Sequence, residues 1–212
     1  MKLHKAGDVG IEIVGLDVQA LIGRLRTAYS DEWMAHYQYW VGAQLLVGGM
    51  RKSVEPELLQ HAEDEKNHAG MIANRIIQLG GCLVLHPSDW ESNGACGFAP
   101  AVDPSVRGIL KDNIHGEQCA IRYYQELLNF VRGKDDVTFE MIREILADEV
   151  EHEEDLQMLM DDEDTGLDGR GRVAGAGMAP AEFQSKVRSL IRKIAFKYGG
   201  DCQRAGGFRN NG

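Results

Sequence analysis

Glu65-Lys66-Asn67-His68 and Glu149-Val150-Glu151-His152 are the two occurrences of Glu-x-x-His in this chain. A lone glutamate stands ahead of each: Glu32, 33 residues before Glu65, and Glu117, 32 residues before Glu149. A Glu and a His three positions apart on a helix project from one face, where a carboxylate and an imidazole can close on a transition-metal ion. Two lone glutamates and two such pairs therefore describe a site for two metals. The near-equal offsets carry the inference, because a single Glu-x-x-His is common in chains of ordinary composition.

Working outward, the apolar residues around each candidate ligand recur with helical period. A first helix is expected from Asp17 to the Gly48-Gly49 pair, with Leu21, Leu25, Ala28, Glu32, Tyr39 and Ala43 on one side. A second is expected from Glu55-Pro56, proline in the first turn, to Gly80-Gly81. Asp103-Pro104 opens a third that reaches Gly133, and Thr138 is the expected N-cap of a fourth that ends near Gly166. Short loops make each consecutive pair an antiparallel hairpin. The stretch from Gly81 to Val102 is long enough to run back along a helix of about 36 Å, so it reads as a crossover. This is an all-α four-helix bundle with a long crossover between the second and third helices, which brings all four ligand positions to one level.

Composition bounds the rest. At 212 residues and 43% hydrophobic, the chain supports one well-buried domain, here residues 1–164, plus an appendage at 165–212. No apolar run approaches a membrane span and the first residues lack a signal-peptide core, so a soluble, cytoplasmic protein with no membrane partner is expected. Four cysteines are too few for a secreted disulfide scaffold of this size. The net charge of -10 divides unevenly: residues 165–212 carry 9 Lys+Arg against 3 Asp+Glu, and residues 1–164 carry 14 against 30. The acidic body attracts cations and argues against non-specific nucleic-acid binding. The appendage begins Gly-rich, then shows one short basic amphipathic helix from Pro180 to Tyr198.

Four glutamates on inward faces need a compensating charge, and two divalent cations supply it while two histidines serve as neutral donors. The competing reading, a solvated acidic face, applies to the runs around Glu63 and Glu151 but not to the face shared by Glu65, His68, Ala69 and Ile72. Tyr39 and Tyr124 each lie seven residues beyond a lone glutamate. They are either phenols that bond a ligand carboxylate or packing residues. His36 and His61, each four residues from a ligand, are either second-sphere groups, passing iron ligands or ordinary partly buried histidines.

Glu-x-x-Ala-x-x-Gln-Tyr at 32–39, Glu65-x-x-His68-Ala69, Glu117 and Asp148-Glu149-x-x-His152 resemble the ferroxidase centre of bacterioferritin. The crossover with Asp89-Trp90 and Cys96-Gly97, followed by Asn113 to Ala120, more closely resembles the Dps-like proteins called thioferritins, within the ferritin-like superfamily. That resemblance covers about residues 17–164. It implies two iron ions per subunit held by Glu32, Glu65, His68, Glu117, Glu149 and His152, oxidation of Fe(II) by hydrogen peroxide or oxygen, and storage of Fe(III) in a homo-oligomeric cage, a dodecamer if Dps-sized. Protection from oxidative stress follows from the same resemblance. It also implies a redox pair, Cys96 and Cys119, beside the metals. Manganese suits the same ligands, which leaves a dimanganese catalase as the alternative, and a DNA-compacting protein whose basic tail contacts DNA as a weaker one.

Overall fold

The computed structural model describes residues 7–165. The Gly-rich segment, the amphipathic helix expected at 180–198, its basic residues and Cys202 lie outside the described residues. Four long helices form the body: α2 (Val18–Leu45), α3 (Arg51–Gln78), α5 (Val106–Val131) and α6 (Asp136–Thr165). A short α1 (Asp8–Glu12) precedes them, and a 3-10 turn (Pro87–Asp89) followed by the one-turn α4 (Trp90–Asn93) sits within the crossover. α2 packs on α3 and α5 packs on α6 as antiparallel hairpins, with α2 against α5 and α3 against α6 across the bundle. The crossover ends beside the α2–α3 turn, where Val47 N–H donates to the Pro104 carbonyl at 2.8 Å and Val106 N–H donates to Val47 at 3.1 Å. Every neighbouring helix pair is consequently antiparallel.

The helix ends differ from the sequence expectations in ways that side-chain chemistry explains. Asp17 caps α2 as expected, accepting from Gln19 and Ala20 N–H. α3 begins at Arg51, ahead of Pro56, which lies inside the helix. Val54 and Met50 are buried there, so packing holds the first turn despite the N–H that proline lacks. Ser105, not Asp103, caps α5 by accepting the Gly108 N–H at 3.0 Å. Asp135, not Thr138, caps α6: its carboxylate accepts the Thr138 N–H at 3.2 Å. Thr138 is buried inside the helix, and its hydroxyl accepts from Arg75 Nε at 2.8 Å while donating to Asp135. Glycine closes α3 and α5, with Gly80 and Gly133 at φ of 80° and 69°, in the left-handed region.

The apolar core is divided in two. One cluster, with Leu21, Leu25, Ile72, Ile76, Tyr124, Leu127, Ile142 and Ile145, fills the end near the start of α2. The other, with Tyr39, Ala43, Leu46, Leu58, Leu110 and Leu156, fills the opposite end. Between them lies a layer of buried polar groups. The crossover is fastened over that layer: Asp31 accepts the N–H groups of Ala95 and Cys96 at 2.9–3.0 Å, and Gln38 accepts that of Ala99 at 2.8 Å. Trp90 stacks on Trp33 with ring centroids 5.7 Å apart.

Candidate metal centre

All six expected ligands meet in this layer, and each residue is at most 5% exposed. They divide into two overlapping groups, Glu32–Glu65–His68–Glu149 and Glu65–Glu117–Glu149–His152, each with one donor atom per residue within 4.8 Å of the others. Glu65 and Glu149 belong to both groups, so they are placed to bridge two cations. Glu32 with His68 and Glu117 with His152 are placed to complete the two ends. His68 Nδ1 lies 3.2 Å from Glu149, 3.4 Å from Glu65 and 3.5 Å from Glu32. His152 Nδ1 lies 3.3 Å from Glu65 and 3.8 Å from Glu149.

Both imidazoles turn Nδ1 inward and Nε2 outward. His68 Nε2 meets Asp148 at 3.1 Å, and His152 Nε2 lies 3.7 Å from Asp64. The Asp148 carboxylate on the outer nitrogen of His68 fixes the tautomer that leaves Nδ1 free to bind a metal, and Asp64 stands near the outer nitrogen of His152 without a hydrogen bond. Sequence reasoning missed these two aspartates. The signal was present, since the repeat is Asp-Glu-x-x-His in both copies, and each Asp serves the histidine of the other helix.

The tyrosines are exchanged in the same manner. Tyr39 of α2 donates to Glu117 of α5, and Tyr124 of α5 donates to Glu32 of α2, so neither phenol serves the ligand on its own helix. His36 Nδ1 meets the Ala62 carbonyl at 2.5 Å and its ring packs edge-on to Trp33. His61 is fully buried and stacks on His152 with centroids 4.1 Å apart. Burial, followed by the charge of His152, lowers it to about 4.

Glu32 Oε2, Glu65 Oε1, His68 Nδ1, Glu149 Oε1 and His152 Nδ1 are buried with no hydrogen-bond partner among the described residues. Buried polar atoms ordinarily have partners, and five such atoms converging on one layer fit a pair of cations. The protonation pattern agrees. Burial, reinforced by Glu149 and Glu65, raises Glu32 and Glu117 well above the ordinary carboxyl range. Burial opposes charge on Glu65 and Glu149 too, but the facing imidazoles outweigh it and hold both low. Against burial, the same carboxylates raise His68 strongly and His152 to about 10. Two carboxylates, two neutral carboxyls and two imidazoliums sum to zero, as do four carboxylates, two neutral imidazoles and two divalent cations.

Cys96 of the crossover and Cys119 of α5 are joined as a disulfide with Cα atoms 5.6 Å apart. Cys96 and Gly97 help to line a cavity of about 40 Å³ whose inner wall is Glu32, Tyr39, Glu117 and Tyr124. Cys82 is an exposed free thiol.

The ferritin-like domain model matches residues 22–165, about two thirds of the sequence. The chain belongs to the ferritin-like family. Within that family it is 42% identical to a structure of the dodecameric thioferritin of Bacteroides fragilis, a bacterioferritin-related protein. The TM-score is 0.73, and the match covers 74% of this chain and 95% of that one. It is 28% identical over 165 residues to the DNA protection during starvation protein of Pyrococcus furiosus, covering 76% of this chain and 88% of that protein. Ferritin-like diiron-carboxylate proteins of Bacillus anthracis are 25% identical with a TM-score of 0.59, over 68% of this chain and 97% of theirs. The protein is thus ferritin-like and Dps-like, of the iron-storage and ferroxidase type. No helix among the described residues is long and apolar enough to cross a membrane.

Proposed function

We propose that this chain is a ferroxidase that takes two Fe(II) ions as substrate, oxidises them with hydrogen peroxide or more slowly with oxygen, and stores Fe(III) as mineral in a homo-oligomeric cage. The observation that carries this reading is the closed set of Glu32, Glu65, His68, Glu117, Glu149 and His152, with five buried donor atoms turned inward without partners. Two Fe(II) supply two electrons together, so 2 Fe(II) + H₂O₂ + 2 H⁺ gives 2 Fe(III) + 2 H₂O with no one-electron product. Glu65 and Glu149, which belong to both donor groups, would hold both ions. Tyr39 and Tyr124 hold the terminal carboxylates Glu117 and Glu32 by hydrogen bonds from phenols that burial keeps protonated. The small cavity under Cys96 has room for one or two molecules the size of water, which suits hydrogen peroxide or oxygen.

Cys96 and Cys119 cycle between dithiol and disulfide, a dithiol reducing one hydrogen peroxide to two waters as the S–S bond forms. This protects the centre from excess oxidant, and the biological role is protection from oxidative stress in the cytoplasm. The cage is a dodecamer, in line with the dodecameric Bacteroides fragilis protein.

The test is to load metal-free protein anaerobically with Fe(II), add hydrogen peroxide, and record ferric absorbance and peroxide consumed. Two Fe(II) oxidised per peroxide, continuing well beyond two irons per chain with a soluble product, is the expected result. Poor iron oxidation, with manganese-loaded protein evolving oxygen from peroxide, would replace this reading by a catalase.

A further inference from the structure

On the α3–α6 side of the bundle, a cavity of about 330 Å³ opens next to the metal centre, lined by Glu57, His61, Asp64, Asp148, His152 and Asp155 among others. It lies against the outer edges of the two ligand histidines, because Asp148 and Asp64 contact their Nε2 atoms from this wall. A third group of convergent donors sits here, apart from the six ligands: Glu57 and His61, one turn apart on α3, and Asp155 on α6, with one atom from each within 4.8 Å of the others.

His61 is 2% exposed, makes no hydrogen bond through either ring nitrogen among the described residues, and aims Nε2 between the two carboxylates. Nε2 lies 3.6 Å from Glu57 and 3.9 Å from Asp155. Both carboxylates are half-buried, and no Lys or Arg pairs with either among the described residues. Two carboxylates with no basic partner among the described residues, converging on a buried imidazole, form a donor set that suits a cation. One held at ~2.1 Å from each donor requires donors roughly 3–3.5 Å apart, so the imidazole–carboxylate separations of 3.6 and 3.9 Å need to shorten by only a few tenths of an ångström. Two carboxylates and one neutral imidazole balance one divalent ion, and the open side of the cavity admits water to complete its coordination. The stacked rings of His61 and His152 join this position to the dinuclear centre.

We propose that Glu57, His61 and Asp155 form a mononuclear site for a divalent transition-metal ion, which stages iron beside the dinuclear centre. The staging role rests on the ferroxidase reading; the metal site itself does not. Substrate iron reaching the α3–α6 mouth is held one ring-stack away from the ligands that receive it. Filling of the dinuclear centre after each turnover then draws on a bound ion instead of on bulk solution.

The experiment uses the full-length protein and Glu57→Gln/Asp155→Asn, which keeps the size of both side chains and leaves the six ligands intact. Crystals of each, grown or soaked with Co(II), are measured at the cobalt edge, and multi-turnover Fe(II) oxidation is followed in parallel. Expected are three anomalous peaks per chain in the wild type, one of them between Glu57, His61 and Asp155. In the variant that peak is absent and the two dinuclear peaks remain. Affinity for the third ion falls by about tenfold or more, as loss of groups around a metal ordinarily entails. The variant should match the wild type in the first two-iron turnover and be several-fold slower in later ones. Two peaks only in the wild type, or a third peak that survives in the variant, overturns the site. A lost peak with unchanged later turnovers overturns the staging role. If the wild type oxidises no iron, the ferroxidase reading and the staging role both fail, and the cobalt peak alone decides the metal site.

Discussion

Loading the metal-free protein with two divalent cations should release four protons per chain. Glu32 and Glu117 are raised by burial and by Glu149 and Glu65, so they hold protons that a metal must displace. His68 and His152 are held as imidazoliums by the carboxylates they face, and each must become neutral to offer Nδ1 to a metal. Glu65 and Glu149 are already ionised and contribute none. Each proton displaced on binding makes the apparent affinity of the ions rise as pH rises. His152 alone, at about 10, weakens binding roughly a thousandfold at pH 7 relative to its deprotonated form. Calorimetric titration with Co(II) under anaerobic conditions, repeated in buffers of different ionisation enthalpy, counts the protons directly. A count below one per ion would show that the metal-free site is not held neutral by internal protonation, and the electrostatic account of these six residues would fall.

The same protons shape stability. The value of about 10 for His152 in the folded chain exceeds its ordinary 6.5, so its contribution is complete below pH 6.5 and disappears as pH rises through 10. The melting temperature of metal-free protein should decline across that window, and that of metal-loaded protein should not. Tyr39→Phe removes the donor to Glu117 and should weaken metal binding by about 10- to 100-fold with the fold intact; an unchanged cobalt isotherm would contradict the role given to the phenol. Arg75 is buried with Nη2 donating to both Asp135 oxygens at 2.8–2.9 Å, so Arg75→Met should cost roughly 3–5 kcal/mol in urea unfolding. A loss under about 1 kcal/mol would mean that the pair adds little. Reducing Cys96–Cys119, which spans a sequence separation of 23, should cost about 3 kcal/mol. The Ala95 and Cys96 amides should nonetheless stay protected from hydrogen exchange, because Asp31 still accepts them.

The repeated Glu-x-x-His and the two lone glutamates were readable because helical period ties ligand spacing to one face, and the same period marked the four long helices. What escaped reading involves partners distant in sequence. Arg75 and Asp135 lie 60 residues apart, and neither position advertises the other. Thr138 and Asp135 are both good N-cap types three residues apart; the choice fell to Asp135 because Arg75 claims the threonine hydroxyl in the core. Pro56 suggested a helix start, but burial of Val54 and Met50 extends α3 past it. The five residues of α1 and the four of α4 are too short to show a period. Spacing within a helix placed Tyr39 and Tyr124 on the right face but could not say that each would reach across to the other hairpin.

That reach has a mechanical consequence. Tyr39 and Tyr124 connect α2 to α5 in both directions, and Asp64 and Asp148 connect α3 to α6 in the same reciprocal way. Sliding one hairpin past the other by a single helical turn, about 5.4 Å, would part all four links at once. The two halves are therefore pinned in register by the residues that surround the ligands, as two combs lock when their teeth mesh from both sides. Alignment of the bundle and geometry of the centre are one constraint, and a substitution that disturbs either will be felt in both.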